Sequence, residues 1–174
     1  MKPNEPISNI IPEEVVEAVC QEIEGSPPNH VRQYIMEILD SQPALYGFVA
    51  PFCQDLSPHA ERLVGFILAA MIRMFQIHFG KRLQSVSPMP LETLFKKNAA
   101  LFDRLLDPDE DVSNRAATEL RKEQPWVWKY VARCVMKSDH SDLGLGGEDR
   151  EDLALVMKTV MDALNSSVRP TRVH

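Results

Sequence analysis

Signals for chemistry are what this sequence has least of. His-Glu-x-x-His, Gly-x-Ser-x-Gly and Glu-x-x-His are all absent. Their absence removes the helix-borne zinc pair, the nucleophile elbow and the helical di-metal motif. The five histidines, His30, His59, His78, His140 and His174, are scattered, with no pair at i,i+4. The three cysteines, Cys20, Cys53 and Cys134, stand too far apart for a Cys-x-x-Cys metal or redox site. Each has apolar neighbours, which suits buried thiols in a reducing compartment. No cofactor and no metal are expected, and an enzyme is the less favoured reading.

Basic charge is also scarce. A net charge of -6 argues against a nucleic-acid partner, which needs a positive footprint. The first 60 residues hold nine carboxylates against Lys2 and Arg32. The longest apolar stretch, Leu63 to Ile72 between Arg62 and Arg73, rises about 15 Å as helix, half a bilayer core. A buried helix segment is therefore expected there, with no membrane association. The start, Met1-Lys2-Pro3-Asn4-Glu5-Pro6, lacks the form of a signal peptide, so a cytoplasmic location is expected. Asn-Gly and Asp-Gly hairpin signals are missing, and no segment alternates as a strand does.

What is present is helical periodicity from end to end. Val15, Val16, Val19, Cys20 and Ile23 recur at helical spacing, as do Val31, Tyr34, Ile35, Ile38 and Leu39. Pro43 starts a short apolar helix, which Gly47 and Pro51 weaken; Pro51 should kink it or end it early. Ser57-Pro58 is a capping hydroxyl followed by proline at the first helical position, and opens a helix to about Leu83. That helix is apolar on nearly every side, so the rest should wrap around it. Gly65, Ala69 and Ala70 would let neighbours approach closely. Further helices are predicted over 91–107, 112–122, 125–136 and 149–165.

The predicted fold is all-α: a compact bundle of seven or eight helices around a long central helix. Residues 1–10 read as a flexible arm, 11–165 as one helical domain, and 166–174 as a tail. The stretch 138–148 carries three glycines and reads as an acidic surface loop.

An internal echo suggests two four-helix halves, 11–84 and 90–165. Gln42-Pro43-Ala44-Leu45-Tyr46-Gly47-Phe48-Val49-Ala50 returns 82 positions later as Gln124-Pro125-Trp126-Val127-Trp128-Lys129-Tyr130-Val131-Ala132. Gln, Pro, Val and Ala recur in place, and both aromatic positions stay aromatic. If duplication is real, the two Gln-Pro corners should be related by a pseudo-two-fold axis.

The aromatic residues give the better functional lead. On one helix Trp126 and Trp128 diverge by about 200°. With Trp128 in the core beside Val131, Trp126 and Tyr130 share another face. Exposed aromatic residues anchor protein contacts, and Lys129 and Arg133 line the same helix. These four form the expected partner-binding set, for a protein partner or for self-association. The expected function is a helical interaction or adaptor domain without catalysis. The alternative is a small-molecule binder with an inter-helix pocket, drawing on Tyr46, Arg73 and His78.

Overall fold

The computed structural model describes residues 8–136 and 145–170. Eight α-helices account for most of it: α1 Glu13–Glu24, α2 Pro28–Asp40, α3 Pro43–Cys53, α4 Pro58–Phe79, α5 Met89–Leu105, α6 Glu110–Arg121, α7 Pro125–Met136 and α8 Gly147–Ser166. A 3-10 turn, Gly80–Arg82, follows α4. Among the described residues there is no strand, only an isolated antiparallel bridge between Leu83 and Val168.

The helix ends follow local chemistry. The Ser57 hydroxyl accepts from the Ala60 N–H at 3.2 Å and caps α4. Gly80, at φ +53°, stops that helix in a conformation that side chains disfavour. Asp109 accepts from the Asp111 and Val112 N–H groups, so α6 begins two residues before the apolar pattern suggests. The Asp149 carboxylate accepts from the Gly146 N–H at 3.0 Å and starts α8 earlier than expected. Pro51 neither ends α3 early nor stops it reaching Cys53. The carbonyl that Pro51 leaves unpaired belongs to Gly47, which is exposed and can be solvated.

Two helices share the centre. On α4 the run Ile67 to Ile72 is buried on every side, together with Met74 and Phe75. By length and composition Pro58–Arg82 could cross a membrane, and 56% of its apolar window is buried inside the bundle. Alongside it lies α8, buried continuously from Val156 to Leu164. Around these two, α1 packs on α4 and α5 on α8, with α7 against both central helices and α3 reaching each.

The Gln-Pro corners make matching contacts. Gln42 donates to the Gln84 carbonyl at 3.2 Å and accepts from the Val86 N–H at 2.8 Å. Gln124 donates to the Asn9 carbonyl at 2.7 Å and accepts from the Ile11 N–H at 2.9 Å. Each amide thus grips a carbonyl and the N–H two residues on, in the segment leading into a helix of the other half. Both side chains are buried.

The terminal segments, read as loose, are tied down where they are described. Besides the Gln124 clasp, the His78 ring nitrogen bonds the Ser8 carbonyl at 2.7 Å. Gln84 N–H donates to the Ser167 carbonyl and Arg169 N–H to the Arg82 carbonyl. Residues 1–7 and 171–174, and most of loop 138–148, lie outside the described residues; Leu145 at the end of that loop is buried.

Candidate functional site

The α2–α3–α4 corner leaves an open groove of about 920 Å³. Its floor is core: Ile23, Leu39, Val49, Val64 and Leu68 are all buried. Three large apolar side chains stand on its walls and stay in water. Met36 is 45% exposed, Tyr46 50% and Phe66 37%. Glu24, Arg32, Glu61 and Arg62 supply a polar rim of balanced sign. Gly65 also lines it, and a side chain built there would meet nothing within 4 Å. Its missing Cβ therefore opens the groove instead of admitting a close neighbour.

A second furrow of about 850 Å³ runs between α1 and α7. It shares Ile23, Glu24 and Phe66 with the groove, so the two are continuous around Phe66. Here lie Trp126, Lys129, Tyr130 and Arg133, the residues expected to bind a partner. Trp128 turns inward with Val127 and Val131, and Phe102 meets it edge-on at 6.4 Å. Trp126 and Tyr130 are half-buried against the furrow wall. Lys129 bonds Glu13 across the furrow at 3.0 Å and sits 4.8 Å from the Trp126 ring centre. The cation is thus shared between a carboxylate and an aromatic face.

The furrow also holds two thiols. Cys20 and Cys134 are half-buried there and Cys53 is half-buried in the first groove, so none of the three is a fully buried core thiol. Burial raises all three thiols, which disfavours the nucleophilic thiolate. Burial likewise pushes the Tyr130 hydroxyl up, with the Cys134 sulfur beside it adding to the effect.

Tyr46, Arg73 and His78, the candidate set of the alternative pocket reading, have separate surroundings. Tyr46 belongs to the first groove. Arg73 bonds Glu22 of α1 at 3.2 Å, and Tyr34 of α2 donates to the same carboxylate. Burial works to raise the Glu22 carboxyl, but the Tyr34 and Arg73 bonds outweigh it and hold the group below its ordinary value. His78 is taken by the N-terminal segment.

Among the described residues no group of three or more His, Cys, Asp or Glu could hold a metal ion. No family model, no curated protein and no solved structure matches the chain. What the fold and its surfaces define is an all-helical domain with a continuous apolar groove.

Met36, Phe66 and Gly65 were missed by sequence reasoning as groove residues. Met36 carried a signal, because it falls off the apolar stripe of α2 set by Tyr34, Ile35, Ile38 and Leu39. Phe66 lies inside a run apolar on all sides, where periodicity cannot say which face stays open.

Proposed function

We propose that this protein is a non-catalytic docking domain that receives the apolar face of a partner's amphipathic helix. The α2–α3–α4 groove takes the anchors of that helix. One observation carries the reading: Met36, Tyr46 and Phe66 converge on a single groove with a core floor and a charged rim. Completing the burial of side chains that are already half covered is worth roughly half of the ~1.5–3 kcal/mol that full burial brings. Three together supply a few kcal/mol before ordering costs are met. Helix-in-groove recognition uses this layout of spaced apolar anchors flanked by charge.

The furrow holding Trp126, Lys129, Tyr130 and Arg133 extends the same footprint, because Phe66 borders both concavities. A net charge of -6 supports a protein partner over nucleic acid. The matching Gln42 and Gln124 clasps support descent from one duplicated four-helix unit, which would make the groove a local departure from the shared frame.

A panel of amphipathic helical peptides tests this, with binding followed through Met methyl resonances and fluorescence anisotropy. Bound peptides should shift Met36 and lose about tenfold or more in affinity on Tyr46→Glu. Met89→Glu, at a residue 87% exposed and outside both concavities, should change nothing. Peptides that bind but perturb only residues elsewhere, or self-association that closes the groove without any peptide, would remove the reading.

A further inference from the structure

Apart from both apolar concavities, α5, α6 and α8 enclose a crevice of about 500 Å³. Because α6 packs along α5 and makes no extensive contact with α8, a gap is left beside Lys158 and Asp162 of α8. These two residues form an ion pair one helical turn apart, with side chains only 5% and 8% exposed. Asn98 of α5 donates to the second Asp162 oxygen at 2.9 Å. A buried ion pair contributes little stability, since desolvation offsets the attraction. Apolar residues would bury this part of α8 as well. The Lys158 ammonium has three protons, and Asp162 is its single partner among the described residues.

The charges around it are unevenly matched. Every carboxylate of the crevice is engaged: Glu119 by Arg104 at 2.9 Å, Glu123 by Asn165 at 3.0 Å, and Asp162 by Lys158 and Asn98. Lys97, Arg115 and Lys122 line the same crevice, and their side chains have no hydrogen-bond or ion-pair partner among the described residues. Three uncommitted cations and a buried ammonium with one partner for its three protons thus gather in one concavity of an acidic chain.

We propose that this crevice binds a small polar dianion, a compact molecule bearing phosphate or paired carboxylates. Lys158 meets it at the floor, and Lys97, Arg115 and Lys122 close on it from the mouth. The Arg115 guanidinium can present two parallel N–H groups to two oxygens of one anionic group. Leu101 is the only large apolar residue of the lining among the described residues, so the ligand carries no bulky apolar part. The volume falls within the usual range for small-ligand sites.

Isothermal titration of the full chain at about 0.15 M salt tests this, using inorganic phosphate, succinate and glycerol as probes. Binding of phosphate, of succinate or of both, without glycerol, is the expected result. Phosphate alone would identify the phosphorylated source and succinate alone the dicarboxylate. Arg115→Gln, at an exposed position, should weaken binding about tenfold or more. Lys158→Ala would strand a buried carboxylate and endanger the fold. The paired variant Lys158→Met with Asp162→Leu instead removes both charges, and should abolish binding while the helical circular dichroism persists. The proposal is overturned if neither dianion binds, or if both variants bind as the wild type does.

Discussion

In the first four helices, α2 lies along α4; in the last four, α6 lies along α5. Of the other helices, α1 lies on α4 as α5 does on α8, and α3 meets α4 as α7 meets α8, whereas α1 also packs on α7 with no comparably extensive contact between α5 and α3. The different placements of α2 and α6 accompany different open surfaces. Beside α2 the opening exposes core, and an apolar groove results. Beside α6 a charged crevice results, with the buried Lys158 and Asp162 of α8 at its floor. The aromatic positions of the two Gln-Pro helices show the same divergence. Trp128 is 7% exposed under Phe102, while Tyr46, its partner in the echo, is 50% exposed. Similar local sequence therefore yields a core residue in one place and an exposed one in the other.

Truncating those two aromatics should break the comparison most visibly. Trp128→Ala should destabilise by about 3–5 kcal/mol, and Tyr46→Ala by no more than about 0.5 kcal/mol, both read from urea unfolding midpoints. Equal losses would mean that the two corners are packed alike.

The glutamine clasps come next. Gln124→Ala strands the Ile11 N–H and Asn9 carbonyl and also loses a 2.9 Å bond to Asn165. A cost of about 2–4 kcal/mol is expected. Gln42→Ala loses two bonds and should cost about 1–3 kcal/mol. Hydrogen exchange should locate the damage across the molecule, at Val86 for Gln42→Ala and at Ile11 for Gln124→Ala. Damage confined to the mutated helix would deny the clasps their cross-linking role.

A smaller effect of opposite sign is expected at Gly65. The new methyl group of Gly65→Ala enters open space and improves helix propensity. The gain should be about 0.5–1 kcal/mol in thermal unfolding, and a larger residue at this position should narrow the groove.

The smallest effect concerns acid. Glu22 titrates below its ordinary value of 4.5 in the folded protein, held there by Tyr34 and Arg73 against burial. A lowered carboxyl contributes stability above the unfolded value and loses it as pH falls through the folded one. Glu22→Gln should therefore lower stability near pH 7, and the difference from wild type should shrink as pH falls through the lowered folded value. A loss that does not change with pH would point to packing instead.

Much of the framework was legible because it is written locally. Ser57-Pro58 and Pro125 mark helix starts by removing or satisfying backbone donors, and each helix begins where those residues stand. The apolar stripe of α1 placed Val16, Val19 and Ile23 inward, and Trp128 with Val131 faces inward on α7, but Cys20 of the first stripe lines the furrow. The site was less legible. Trp126 and Tyr130, expected to share a second face, both line the furrow between α1 and α7. Tyr46, Arg73 and His78 were grouped by residue type alone, and the fold gives each a different neighbour. Lys158 and Asp162 sit at i,i+4 like any solvated pair, so nothing local reveals that α5 covers them.

The sequence by itself determined that the chain is helical, where most helices begin, and which stripes seek the core. Periodicity and capping are short-range properties, set by neighbours within one or two turns. Tertiary structure alone decided that α2 and α6 lie on different partners, that Gly65 faces open space, and that Lys158 is buried. Those outcomes depend on contacts between residues far apart in the chain, and an all-round apolar helix such as α4 does not encode which of its faces will be left uncovered.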